Sequence, residues 1–156
     1  MIYLFTGDIR SGKTTTIYRA AIHRNDVGGF LTPDSEDGRV LYDLKERIKH
    51  PFEVHDYDPD TTIKVGRFIF LKNAFEKGNE LIEVHLNDEK IQYIVIDEVG
   101  KLELRDEGFH KLVDQLFKKP LNKRLIIVVR SFLFDEVIDK FRLESYEVIH
   151  DISQVL

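Results

Sequence analysis

Gly7-Asp8-Ile9-Arg10-Ser11-Gly12-Lys13-Thr14 decides how this chain is read. The stretch runs G-x-x-x-x-G-K-T between two segments of different period. Before it, Met1 to Thr6 (MIYLFT) is an apolar run rich in β-formers, which predicts a buried strand. After it, Thr15 to Arg24 predicts a helix, with Ile17, Ala20, Ala21 and Arg24 spaced in threes and fours. Strand, glycine turn and helix form the context in which this spacing cradles phosphate. Gly7 and Gly12 let the backbone turn tightly and bring its N–H groups close to phosphate oxygens. The helix start adds unpaired N–H groups and the positive end of its dipole. Lys13 has the reach for the β- and γ-phosphates of a nucleotide, and the Thr14 hydroxyl is a ligand for Mg²⁺.

The chain has 156 residues, which predicts one domain, and 42% of them are hydrophobic, enough for a proper core. It has no cysteine, so disulfides and thiolate metal sites are excluded and a reducing cytoplasm is the expected home. No leader pattern precedes the first strand, and no apolar run approaches membrane-spanning length. The formal net charge of −5 argues against nucleic-acid binding by the whole surface. Nothing in the sequence indicates nucleic acid as a partner, and a monomer is expected.

Working outward, Asn25 to Gly29 reads as a break, Phe30 to Thr32 as a short strand, and Pro33 to Gly38 as a turn. Arg39 to Arg47 and Pro51 to Tyr57 alternate apolar and polar, which predicts an antiparallel hairpin or small meander beside the main sheet. Asp58 to Thr62 is a loop, and Val65 to Phe70 a short strand or ordered loop. Leu71 to Leu86 follows a helical period, with Gly78 inside it. Tyr93 to Glu98 (YIVIDE) and Leu125 to Val129 (LIIVV) are continuous apolar runs, as in parallel strands covered on both faces. Glu107 to Lys118 and Asp135 to Phe141 predict helices, and Tyr146 to Ile149 a last strand. Strands alternating with helices imply a three-layer α/β fold with a mainly parallel sheet.

Asp97-Glu98 ends the most apolar strand. In open parallel sheets the ligand lies beyond the carboxyl ends of the strands. The phosphate loop leaves the same end of its own strand, so the two elements are expected to share a crevice. Asp97 is then placed to hold Mg²⁺, directly or through water, and Glu98 to orient or deprotonate an attacking water.

With these residues in place, a resemblance emerges. Asp97-Glu98-Val99-Gly100-Lys101-Leu102-Glu103-Leu104 is similar to the D-E-I-G-K-M-E-L signature of a nucleoside-triphosphatase family known from thermophilic microbes and from a human cancer-related member. Gly29-Phe30-Leu31-Thr32, Gly38-Arg39, Val65-Gly66-Arg67-Phe68 and Ala74-Phe75-Glu76 follow in the family's order. The resemblance implies a RecA-like P-loop fold and Mg²⁺-dependent hydrolysis of ATP, GTP and other nucleoside triphosphates to the diphosphate. It assigns phosphate and metal to Gly12, Lys13, Thr14 and Thr15, and the metal and water acids to Asp97 and Glu98. Lys101, inside the signature, is a candidate for placing positive charge on the γ-phosphate. The chain departs from the family where Arg10 replaces the usual third glycine and where Pro33-Asp34-Ser35-Glu36 replaces E-V-R. Slow or retuned activity is the expectation.

Arg130 sits at a strand tip where P-loop ATPases often sense the γ-phosphate; otherwise it is a surface arginine. Arg39 and Arg67 are candidate charge stabilisers from the added hairpin, although an exposed loop arginine is the commoner case. Phe68, Phe70 and Tyr57 read as sheet core rather than base-stacking residues. The six histidines lack zinc-ligand spacing. Two other classes fit the same loop. A small-molecule or nucleotide kinase would need an acceptor pocket and a basic lid. A nucleotide-binding regulatory or nucleic-acid-associated module would turn over weakly.

Overall fold

The strand expected before the phosphate loop is β1 (Ile2–Gly7), and the sheet is ordered around it. The computed structural model describes residues 1–156. Along the chain follow α1 (Lys13–Ala21), β2 (Val27–Leu31), β3 (Asp34–Ser35), β4 (Gly38–Asp43) and β5 (Lys49–Pro51). Next come β6 (Thr62–Val65), β7 (Phe68–Leu71), α2 (Lys72–Asn87) and β8 (Tyr93–Val99). The chain ends with α3 (Lys101–Leu104), α4 (His110–Lys118), β9 (Arg124–Arg130), α5 (Phe134–Phe141) and β10 (Glu147–Ile149). No helix is long and apolar enough to cross a membrane.

The main sheet has the order β10-β1-β9-β8-β2-β4-β3, with β5 paired to β4. Strands β10, β1, β9, β8 and β2 pair in parallel, and β4 joins β2 antiparallel. The expected three-layer α/β fold with a parallel sheet and an antiparallel addition is therefore present. Alternation along each strand divides the core. Leu4, Ile94, Ile96 and Ile127 face α2, α4 and α5 through Phe75, Ile82, Val113 and Val137. Phe5, Val95, Ile126 and Val128 face α1 through Ile17 and Ala21. Each fully buried side chain of this size contributes about 1.5–3 kcal/mol. Burial on both faces is why these strands carry no alternating polar residues.

One helix, α1, covers one face, while the later crossover helices cover the other. Strand order therefore reverses beside β1, and the loop after β1 opens into the resulting crevice. β9 lies between β1 and β8, so its tip at Arg130 separates the phosphate loop from the Asp97-Glu98 strand end.

Several expected boundaries move. Gly28 and Gly29, read as a break, lie inside the fully buried β2. A Cβ at Gly28 would come within 3.0 Å of the His85 ring, and one at Gly29 (φ +97°) would strike the Val95 backbone. The glycines allow close approach rather than a turn, and Gly29 N–H donates to Nδ1 of the buried His85 at 2.9 Å. The strand expected over 39–47 stops at Asp43, whose Oδ1 accepts from the N–H of Lys45 and Glu46 at 2.9 and 3.1 Å. Of the alternating stretch 51–57, only Pro51 is in a strand and Glu53 in a bridge to Phe70. The stretch 65–70 is the turn and return strand of a separate β6-β7 hairpin. Helix α1 starts at Lys13 and ends at Ala21, because Arg24 instead pairs with Asp26 at 2.7 Å and donates to the Leu156 carbonyl.

Gly78, an apparent weak point of α2, marks a contact. A Cβ there would lie 2.5 Å from Phe109. Alanine is the better helix former by about 1 kcal/mol, yet overpacking a core ring costs about 1–3 kcal/mol. Gly78→Ala should therefore lower the denaturation midpoint; a rise would mean that the Phe109 ring yields freely.

Candidate active site

The phosphate loop takes its shape from backbone geometry. Gly12 (φ +81°) and Arg10 (φ +58°) both adopt left-handed conformations. That explains why a glycine suits position 10 and what replacing it entails: Arg10 accepts a backbone that L side chains disfavour, while its side chain stays exposed at the cleft. Ile9 and Thr15 are exposed, and both border the cleft. The Lys13 ammonium folds back into the loop, donating to the carbonyls of Gly7 (3.0 Å) and Asp8 (2.8 Å) and to Ser11 Oγ (3.1 Å). Burial lowers its pKa from the usual lysine value, against the opposing pull of Glu98, then Asp97. The Asp8 carboxylate accepts from Ser131 Oγ at 2.9 Å, tying the loop to the tip of β9.

The two constellations expected to converge do meet. Thr14 Oγ1 donates to Asp97 Oδ2 at 2.7 Å, across 83 residues of sequence. Thr32 N–H donates to the same oxygen at 3.2 Å. Asp97 is 2% exposed, and burial, then repulsion from Glu98, pushes its pKa up to about 6, opposed by Thr14, Thr32 and Arg39. A buried carboxylate with a hydroxyl beside it, open to a polar cleft, is a donor set that suits a hard cation completed by phosphate and water oxygens. No cluster of three or more His, Cys, Asp or Glu is disposed to hold a metal by protein ligands alone. The cleft measures about 570 Å³ and includes Lys13, Thr14, Asp97, Glu98 and Arg130.

Glu98 turns away from Asp97 and meets Arg130 Nη2 at 2.8 Å; Arg39 Nη1 lies 4.0 Å away. Arg39 is not the exposed loop arginine expected from sequence. Its side chain is 20% exposed and packs over Phe68. Its Nε lies 3.4 Å from Asp34, in an orientation that makes no hydrogen bond. Pairing of β3 with β4 puts it there, a tertiary signal that local sequence lacks. Arg67, at the β6-β7 turn, is exposed as expected, yet it borders the same cleft. Lys101, the remaining candidate, is exposed at the start of α3 and does not border the phosphate-loop cleft. Of the three aromatic residues assigned to the core, Phe70 is buried and Phe68 half-buried, but Tyr57 is exposed.

A second cavity, of about 170 Å³, adjoins the cleft and shares Thr32, Arg39, Arg67, Phe68, Glu98 and Arg130 with it. Five of its 17 lining residues are phenylalanines, and it also reaches Lys101 and Glu103. Sequence reading gave Glu103 no role. Its buried carboxylate accepts from the N–H of Gly100 at 2.8 Å and Phe109 at 2.9 Å, holding α3 against α4. Burial pushes its pKa up to about 7 despite those bonds. A raised folded-state pKa means this group's stabilisation is full below about 4.5 and is lost as pH rises through about 7. At roughly 1.4 kcal/mol per unit, the window is worth about 3 kcal/mol. Between those pH values, the stability difference between wild type and Glu103→Gln should shift by that order in favour of the variant. Parallel urea-denaturation curves would contradict this.

A family model described as NTPase matches residues 2–154. The nucleoside-triphosphatase THEP1 of Methanocaldococcus jannaschii is 32% identical, over 90% of this chain and 96% of that protein. The protein of the same name from Thermotoga sp. is 26% identical, over 99% of this chain and 87% of its own length. The crystal structure of THEP1 from Aquifex aeolicus superposes with a TM-score of 0.75 at 23% identity, covering 96% of this chain and 89% of that one. A human cancer-related nucleoside triphosphatase superposes with a TM-score of 0.65 at 24% identity, covering 96% and 87%.

Proposed function

The chain belongs to the NTPase family, enzymes that hydrolyse nucleoside triphosphates, and from this we propose that it is a Mg²⁺-dependent hydrolase of ATP, GTP and other nucleoside triphosphates, releasing the diphosphate and phosphate. The observation that carries this reading is the 2.7 Å contact between Thr14 and Asp97, which joins the phosphate loop to the acidic strand end in one cleft. In this reading Gly7, Asp8, Ile9, Arg10, Ser11, Gly12, Lys13, Thr14 and Thr15 surround the phosphates. Thr14 and Asp97 would hold Mg²⁺. When bound, the ion would neutralise phosphate charge.

The chain's own groups supply the rest. Lys13 exchanges its loop carbonyls for phosphate oxygens, so its charge is spent where charge develops. Glu98 orients a water toward the γ-phosphorus and receives its proton. Arg130 holds the Glu98 carboxylate in position. Arg39 and Arg130 are better placed than Lys101 to meet the departing phosphoryl, since both border the loop cleft. Positioning and electrostatics of this kind dominate phosphoryl transfer.

Phosphate and diphosphate release from ATP and GTP tests the proposal directly. Turnover should require added Mg²⁺ and stop with a chelator; nucleotide binding without phosphate release would overturn it. Asp97→Asn should raise the Mg²⁺ concentration for half-maximal turnover by about tenfold or more, the scale of a disturbed metal site. Its thermal midpoint should hold or rise, since a neutral side chain relieves a buried charge. An unchanged Mg²⁺ titration would remove Asp97 from the metal.

A further inference from the structure

We infer that the aromatic cavity beside Glu98 is a phosphoryl-acceptor pocket for a small alcohol built on a single aromatic ring. The inference rests on the placement of triphosphate and Glu98 proposed for the hydrolase. Hydrolysis needs room for one water, whose share of liquid volume is about 30 Å³. The cavity measures about 170 Å³, and an apolar cavity of about 150 Å³ accommodates a benzene ring.

The lining fits such an occupant. Phe52, Phe68, Phe70, Phe75 and Phe109 present ring faces and edges, with Leu102 beside them. Phe52 stacks on Phe70 at 4.5 Å, and Phe75 meets Phe109 at 4.8 Å. Rings arranged this way favour another ring in offset or edge-on contact. Glu98, Arg39 and Arg130 stand where the cavity meets the cleft, while Lys101 and Glu103 line the cavity away from the cleft. Arg39 lines both the cavity and the cleft, so the mouth carries a guanidinium suited to an oxygen. A ring seated among the phenylalanines would bring a one-carbon-tethered hydroxyl to Glu98, where the attacking water otherwise stands.

The chemistry is balanced. The alcohol oxygen forms a bond to the γ-phosphorus as the bond from that phosphorus to the β,γ-bridging oxygen breaks. The electron pair leaves with the nucleoside diphosphate, and the hydroxyl proton passes to Glu98 and then to solvent. Nucleoside triphosphate and alcohol become nucleoside diphosphate, phosphate monoester and a proton.

The full chain with γ-labelled ATP, Mg²⁺ and benzyl alcohol tests this, with benzyl methyl ether as the ring that cannot accept. Labelled benzyl phosphate should form at least about tenfold above the share set by the alcohol-to-water ratio, as expected of an oriented acceptor. Phosphate release should fall correspondingly. The ether should slow hydrolysis and yield no ester. Val65→Phe, which fills the cavity from its wall, should keep hydrolysis in water within about twofold of wild type and lose the ester. Saturation-transfer NMR on the wild type reads ring binding without any variant. Hydrolysis in water with no ester, or with ester at the mole-ratio share, overturns the pocket and leaves the hydrolase standing. Benzyl alcohol that fails to bind, or ester formation unaffected by Val65→Phe, overturns it equally. Absence of hydrolysis in water would instead count against the hydrolase.

Discussion

Lys13→Ala is expected to reduce triphosphate turnover by about three orders of magnitude or more, near 4 kcal/mol of transition-state stabilisation. Two losses combine. The substitution removes the only lysine on the loop cleft, a charge aimed where the γ-phosphoryl separates. It also strips the donor shared by the Gly7 and Asp8 carbonyls and Ser11 Oγ, so the loop loses its internal brace. Triphosphate affinity should fall with turnover, because the charge acts on the bound ground state as well. Phosphate release and equilibrium nucleotide binding, measured on the same preparation, separate the two effects. Turnover within tenfold of wild type would remove Lys13 from the reaction.

Glu98→Gln should divide the two quantities instead. Binding should persist, while kcat falls by about 10²–10⁴-fold, the range for losing a positioned general base. The substitution suits the test because glutamine retains an oxygen that can accept from Arg130 where Glu98 now meets it at 2.8 Å. Geometry is thus conserved and the proton acceptor removed. Arg130→Ala supplies the complement: the carboxylate remains but loses its brace. Near-normal turnover by Glu98→Gln would show that water is activated elsewhere.

Much of this arrangement was legible in the sequence because it rests on short-range rules. Met1 to Thr6, Tyr93 to Glu98 and Leu125 to Val129 could be read as buried strands because two-sided burial leaves no polar alternation. Gly28-Gly29 misled for the opposite reason. A glycine chosen for contact with His85 and the Val95 backbone looks, in isolation, like one chosen for a turn. Gly78 in α2 posed the same ambiguity, resolved only by Phe109 arriving from just before α4. Arg39 illustrates the limit at the candidate site. Its charge was visible, but its half-buried place beside Glu98 depends on the β3-β4 pairing.

The sequence alone determined the phosphate loop, the acidic strand end and the strand-helix alternation that carries both to one edge of a parallel sheet. Each is a local pattern of residue type and period, and the physics behind it acts within a few residues. The tertiary structure decided that β9 lies between β1 and β8, that Arg130 rather than Lys101 meets Glu98, and that five phenylalanines spread from Phe52 to Phe109 wall one cavity. Those outcomes depend on which surfaces pack together. Packing is set by complementary shape and burial between distant segments, which no local period encodes.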